Sequence, residues 1–227
     1  MVKTVLELFS GTHSIGKIAK KKGWFVVSVD RDLNDECPFN TGYKSPYHIN
    51  ADIMNWDYKK DFNIGDFDII TASPVCKWWS VLRNCCINRK LKGMDRPLTK
   101  EDIENDINTY GKPMVDKVRE IIDYFKPKYY WIENPQTGKM KTYILDLPYY
   151  DVDYCKYGFD YKKRTRIWTN INNFKSKKCN KKKHKVQLGH CKKSNWDGSQ
   201  TLERYRIPDK LIEDLFSGAT INTPSML

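Results

Sequence analysis

Thr4-Val5-Leu6-Glu7-Leu8-Phe9, running into Ser10-Gly11-Thr12-His13, is the stretch on which the reading of the fold turns. A short apolar run that stops at a glycine-containing turn has the pattern of a buried strand. A helix is expected from about Ser14, which is placed to cap it, to Lys22, with Gly23 ending it. Trp24-Phe25-Val26-Val27-Ser28-Val29 then reads as a second strand that finishes in Asp30. Strand, turn, helix and strand at this spacing make a βαβ unit, which lays the two strands side by side and parallel.

Working outward, the alternation continues. A short strand is expected near Ile49 to Ile53, and another from Phe67 to Ala72 that runs into Ser73-Pro74-Val75-Cys76. Ile103, Ile107, Tyr110, Met114, Val118, Ile121, Ile122 and Phe125 fall at helical spacing, so Lys100 to Phe125 predicts one long amphipathic helix that Pro113 kinks or divides. Tyr129 to Ile132 is a further strand and delivers Glu133-Asn134-Pro135 to the same sheet edge as Cys76. Tyr149 to Cys155 and Thr165 to Thr169 read as a hairpin, and Ile207 to Phe216 as a terminal helix with Pro208 in its first turn. The expectation is an α/β fold: a Rossmann-like, mainly parallel sheet with helices on both faces and a terminal antiparallel hairpin, plus a small basic appendage.

Composition sets the outer limits. A chain of 227 residues can carry one sizeable core with a small appendage, while two full domains would be cramped. Hydrophobic residues at 40% exclude a disordered chain. No apolar stretch approaches the roughly 20 residues of a membrane-spanning helix, so no membrane partner is expected. No signal region opens the sequence, and the seven cysteines are odd in number with Cys85 and Cys86 adjacent. Both features point to a reducing intracellular compartment, cytoplasm or nucleus, without structural disulfides.

The net charge of +12 is not spread evenly. Between Tyr161 and Trp196 there are 13 Lys and Arg and no Asp or Glu, which leaves the rest of the chain close to neutral. A confined basic stripe fits a polyanion-binding surface, the alternative being a solvated lysine-rich loop. Cys179, His184, His190 and Cys191 lie inside it and could hold a structural zinc that orders a coreless loop; otherwise they are free polar side chains.

Three strand ends carry candidate chemistry. The turn Ser10-Gly11-Thr12-His13 lets a ligand approach the backbone, and Asp30 after the next strand can accept from ribose hydroxyls. The missing G-x-G-x-x-G spacing favours a nucleoside with a small charged tail over a dinucleotide. At the other two ends stand Cys76 and Glu133, a thiol and a carboxyl that could meet in one pocket, with Lys77 and an arginine supplying a positive field. Taken alone, Cys76 also reads as a buried structural thiol.

Six motifs in order now carry a resemblance: Glu7 to Gly11 (ELFSG), Val29-Asp30, Ala51-Asp52-Ile53, Ser73 to Cys76 (SPVC), Ile132 to Pro135 (IENP) and Lys163 to Trp168 (KRTRIW). Together they resemble the cytosine-C5 DNA methyltransferases over about residues 4–169. The resemblance implies the class I methyltransferase fold, with a catalytic domain at 1–169, a lysine-rich target-recognition region at 170–206 and a C-terminal helix at 207–227 that packs back. It implies S-adenosylmethionine as cofactor, held by Phe9, Ser10, Gly11, Thr12, His13, Asp30, Arg31, Asp52, Ile53 and Pro74. Cys76 would be the nucleophile on cytosine C6, Glu133 the partner of N3 and the exocyclic amine, Arg166 the neighbour of the cytosine carbonyl, and Arg164 a support for the loop or a phosphate. The target base would have to be flipped out of the duplex.

Lys77, Trp79, Ser80, Arg83, Lys162, Lys163, Lys181, Lys182 and Lys183 are the expected nucleic-acid contacts, Trp79 as a filler of the gap left by the base or, equally, as core. Three positions and one stretch depart from the family pattern: Val75 replaces proline, His13 replaces the second glycine of the cofactor turn, Lys162 stands for glutamine, and Gly218 to Asn222 matches poorly. The expected partner is DNA and the expected state a monomer. RNA methylation, or nucleic-acid binding without turnover, are the competing readings.

Overall fold

The computed structural model describes residues 2–31, 47–184 and 204–220. Seven strands form one sheet: β1 (Thr4–Leu8), β2 (Phe25–Asp30), β3 (Tyr47–Asn50), β4 (Ile69–Ala72), β5 (Tyr129–Pro135), β6 (Tyr149–Asp153) and β7 (Arg164–Thr169), in the spatial order β3-β2-β1-β4-β5-β7-β6. β1 to β5 are parallel neighbours, while β7 runs antiparallel to both β5 and β6. The mainly parallel sheet with its antiparallel hairpin is therefore as expected. The chain steps outward from β1 to β3 and then returns to place β4 on the other side of β1. That reversal opens a crevice at the C-terminal ends of the strands, where doubly wound sheets bind ligands.

Helices cover both faces. On one lie α1 (Ser14–Lys21) and the terminal α5 (Asp209–Thr220), whose Leu211, Ile212, Leu215 and Phe216 are buried with Ile15, Ile18, Val5, Trp131 and Ile167. On the other lie the one-turn α2 (Tyr58–Asp61), α3 (Lys100–Asp106) and α4 (Lys112–Phe125), packed through Ile103, Val115, Val118 and Phe125 on Leu6, Leu8, Ile70 and Ile132. Strands covered on both sides favour apolar residues on both faces, which is why β1 and β4 are mostly apolar, as in Val5-Leu6 and Ile69-Ile70.

Glu7 is the exception in β1, and it explains a difference from the sequence reading. Its carboxylate is buried, accepts from the Ile15 amide (3.0 Å) and the Ser28 hydroxyl (3.0 Å), and lies 3.7 Å from His13 Nδ1. The carboxylate thus does the capping expected of Ser14: His13 is the N-cap residue and makes no side-chain cap. Ser14 is instead the first helical residue, and its hydroxyl accepts from the Ile207 amide (3.2 Å), fastening the lead-in to α5.

Other corrections are local. The single helix expected from Lys100 to Phe125 is interrupted by a wide π-helical turn over Ile107–Gly111. Pro113 has no amide hydrogen and its ring would strike the carbonyl of a regular preceding turn, so the ladder loosens just before it. Gly111 lies in that turn against Trp79, where a Cβ would stand only 3.0 Å from the indole. The strand expected to reach Ile53 stops at Asn50, and the hairpin strand expected to reach Cys155 stops at Asp153, giving way to a helical turn over Tyr154–Lys156. No helix among the described residues is long and apolar enough to cross a membrane.

Candidate active site

The first edge of the candidate site is built by the turn after β1. Phe9, Gly11 and His13 all have positive φ (59°, 41° and 51°). Left-handed backbone at a residue bearing a Cβ costs about 1–2 kcal/mol, and such strain concentrates at ligand sites. It brings the Gly11 amide to Asp30, which accepts at 2.9 Å, while the Asp30 carbonyl accepts from Ala51 (3.1 Å). Asp52 accepts from the Met54 amide (3.0 Å) and lies 3.9 Å from Arg31, with Ile53 buried beside it. The Ser10 hydroxyl is buried without a hydrogen-bond partner among the described residues. Thr12 and His13 are buried, so they shape the turn from within.

The second edge lies where β4 and β5 end. Asn134 is buried and donates to the Pro74 carbonyl (2.8 Å), locking the two strand-end loops together. Glu133, also buried, accepts from the Tyr154 hydroxyl (2.8 Å) and faces Lys163 Nζ at 3.7 Å. Both contacts fall on Oε1, which leaves Oε2 without a partner among the described residues. Burial pushes the Cys76 thiol above its ordinary value; the Lys163 ammonium opposes that shift and the Glu133 charge adds to it. Cys76, Glu133 and Lys163 therefore share one electrostatic neighbourhood. Burial and the adjacent Glu133 hold Tyr154 protonated, so it is a fixed donor.

Several expected residues sit elsewhere. Trp79 is 1% exposed and packs in the core, stacked on Tyr143 (5.7 Å), so it offers no face to a nucleic acid; the π-helical turn closes over it. Lys163, expected among the phosphate-binding lysines, turns inward to Glu133 and the Arg204 carbonyl (3.0 Å). Lys77 does not supply the field at Cys76; its ammonium lies over the Trp78 ring (4.4 Å), which stacks on Tyr110 (4.7 Å). Arg83 is paired with Asp106 (2.5 Å), and the Ser80 hydroxyl caps the helical turn Val81–Cys86 through the Leu82 amide (3.3 Å). Lys162 donates to the Cys179 carbonyl (2.9 Å). Of the expected lysine cluster, Lys181, Lys182 and Lys183 stand exposed, as does Lys77.

Arg164 and Arg166 are not brought to Glu133. In the β5–β7 register Glu133 opposes Ile167 and Arg166 opposes Asn134, so the side chains of Glu133 and Arg166 leave opposite faces of the sheet. Arg164 pairs with Asp153 (2.9 and 3.1 Å) and Arg166 with Asp151 (2.7 and 3.0 Å), and the Arg166 guanidinium also lies 3.5 Å from the Tyr149 ring centre. Sequence reasoning missed these acids, although Asp-x-Asp in one hairpin strand facing Arg-x-Arg in the other is a legible cross-strand pattern. It also missed Tyr154, Asn134 and Tyr205; the last is 57% exposed, and Cys76 contributes to raising its hydroxyl pKa after burial.

Comparison with known proteins gives the family. A protein of Frog virus 3 (isolate Goorha), described as a probable DNA (cytosine-5)-methyltransferase, is 37% identical, with 93% of this chain and 97% of the viral protein covered. This chain belongs to the DNA (cytosine-5)-methyltransferase family. No family profile matches it. Among solved structures, the Entamoeba histolytica methyltransferase EhMeth superposes with a TM-score of 0.52 at 14% identity, covering 78% of this methyltransferase and 55% of that chain. The S. pombe Dnmt2 methyltransferase gives a TM-score of 0.44 at 15% identity, covering 78% and 52%. This methyltransferase thus spans about half the length of those two structures and nearly the whole of its viral relative.

Proposed function

We propose that the protein methylates C5 of cytosine in DNA, with Cys76 as covalent nucleophile and Glu133 as its acid partner on the base. The observation that carries this reading is the convergence of Cys76, Glu133 and Lys163 at the strand ends next to the strained turn at Phe9–His13.

S-adenosylmethionine fits the first edge. Asp30 and Asp52 offer acceptors for ribose hydroxyls and an adenine amine, Phe9 a ring for the adenine, and the Ser10 hydroxyl, buried without a partner among the described residues, a further polar contact. Gly11, Arg31, Ile53 and Pro74 complete the cradle, and Thr12 and His13 set its backbone. When bound, the cofactor would supply an electrophilic methyl group, which C5 of neutral cytosine is too weakly nucleophilic to attack unaided. The protein's part is to supply that help.

As thiolate, Cys76 adds to C6, and Glu133 gives or shares a proton at N3, so that electron density collects at C5. Lys163 favours the thiolate by its charge, and Tyr154 holds Glu133 in place. Once C5 carries the methyl group, a water molecule takes its remaining proton, the freed electron pair re-forms the C5–C6 double bond as the sulfur–C6 bond breaks and Cys76 leaves as thiolate, and the N3 proton returns to Glu133. A stacked base cannot reach a thiol at a sheet edge, so the cytosine leaves the helix at a cost of a few kcal/mol. Exposed Lys77 and Lys181 to Lys183 supply phosphate contacts that offset it.

The test is incubation of the full chain with tritiated methyl donor and separate DNA and RNA substrates. Label in DNA that falls by more than about a thousandfold in Cys76→Ser supports the proposal. Label only in RNA would replace the substrate, and label that survives Cys76→Ser would remove the mechanism.

A further inference from the structure

Outside the site just described, one cluster of soft ligands stands at the root of the basic segment. Cys155 lies on the turn that follows β6, Cys179 on the irregular segment that returns past the hairpin, and His184 five residues further on; their ligand atoms all lie within 4.8 Å of one another. Cys179 is buried, and its Sγ is 3.5 Å from His184 Nε2. The juxtaposition does not depend on the thiols themselves. Other hydrogen bonds already hold this return against the hairpin: Cys179 N donates to Asp153 (2.7 Å), Asp153 N to the Lys177 carbonyl (3.1 Å), Lys177 N to the Tyr157 hydroxyl (3.1 Å), and Lys162 to the Cys179 carbonyl (2.9 Å).

We infer that Cys155, Cys179 and His184 bind a zinc ion that anchors the lysine-rich segment to the catalytic body. Two thiolates and an imidazole are the ligand set that zinc prefers over the hard cations. Zinc–sulfur and zinc–nitrogen bonds of about 2.3 and 2.0–2.1 Å at a tetrahedral angle put sulfur and nitrogen roughly 3.6 Å apart, close to the 3.5 Å separation of Cys179 and His184. Two thiolates also balance the ion's double charge, so the site adds no net positive charge to a segment already crowded with lysine. The sequence alone suggested Cys179, His184, His190 and Cys191. Cys155 joins the first two, and His190 and Cys191 lie outside the described residues.

The consequence is geometric. Cys179 and His184 bracket Lys181-Lys182-Lys183, so an ion held by both closes a short loop with three exposed lysines at its tip. Cys155 ties that loop to the turn that also carries Tyr154, the residue bonded to Glu133. A loose lysine tract thereby becomes an oriented one.

The test is metal analysis of the full chain purified under reducing conditions, followed by cobalt(II) replacement. Expected are one zinc per chain, cobalt absorption of tetrahedral intensity with a thiolate charge-transfer band, and loss of at least nine-tenths of the metal in Cys155→Ser and in His184→Ala. Cys85→Ser, at an exposed cysteine away from the cluster, should keep it. Because Cys179 is buried and its replacement could unfold the chain, the half-exposed His184 and Cys155 carry the argument, each checked by circular dichroism. Wild-type protein without stoichiometric zinc, full zinc in Cys155→Ser, or a mass two hydrogens light from a Cys155–Cys179 disulfide would each overturn the inference. None of these readouts depends on methyl transfer, so the proposed activity can stand or fall separately.

Discussion

The two faces of the sheet where β5 meets the β6–β7 hairpin hold the same kinds of residue put to opposite uses. On one face Glu133, Lys163 and Tyr154 lean together beside Cys76, and Glu133 keeps an oxygen without a partner among the described residues. On the other, Arg164 and Arg166 are each held by two hydrogen bonds to an acid of the neighbouring strand. A charge already satisfied by its own fold can orient a strand but has little left to offer a substrate. The functional weight of a charged motif thus depends on its cross-strand partner, which lies a turn away in sequence.

That contrast can be broken by mutation. The largest effect on chemistry is expected from Glu133→Gln, which keeps volume but cannot supply a proton: methyl transfer should fall by about 10²–10⁴-fold with the melting temperature nearly unchanged. On the opposite face, Arg166→Ala strips a partner from Asp151, and the pair is only 11% and 14% exposed. Breaking such a pair costs about 3 kcal/mol, a drop of roughly 6–12 °C in Tm for a chain of this size. Asp151→Asn in the same background should add little further. Arg166→Ala that melts normally but loses its rate would place Arg166 at the base after all.

A smaller effect is expected at Lys163. The proposed mechanism needs the thiolate, and burial sets the Cys76 thiol above its ordinary value, so the rate should rise with pH through the alkaline thiol range. Lys163 favours the thiolate, so Lys163→Gln should move that limb to higher pH and lower the neutral rate by about tenfold for each unit moved. An unmoved limb would remove Lys163 from the site. The smallest is at Lys181, Lys182 and Lys183: changing all three to Gln should leave Tm alone and flatten the dependence of log affinity for DNA on log salt by roughly 0.9 for each phosphate no longer neutralised.

The sheet was legible because its strands are covered on both sides and so spell themselves out as apolar runs, as in Val5-Leu6 and Ile69-Ile70. Cys76 and Glu133 were legible because each follows such a run. Their supporting residues were not, for a physical reason. Tyr154 reaches Glu133 only because β6 ends early at Asp153, and a strand's last residue is set by tertiary contacts rather than by local preference. Trp79 was misplaced because an aromatic after a nucleophile reads equally as lid or as core; the loosened turn before Pro113, which lets Gly111 approach it, decides for core. Glu7 as helix cap was invisible for the same cause, its target lying eight residues on across a turn.

The most direct test of the central claim uses duplex DNA carrying 5-fluorocytosine with S-adenosylmethionine. Fluorine at C5 cannot leave as a proton, so a nucleophile joined to C6 stays joined after methyl transfer. The account predicts a covalent protein–DNA complex whose digest maps the modified base to the Cys76 peptide, and none with Cys76→Ser. Attachment at another residue, or methyl transfer to ordinary cytosine with no complex on the fluorinated strand, would contradict it.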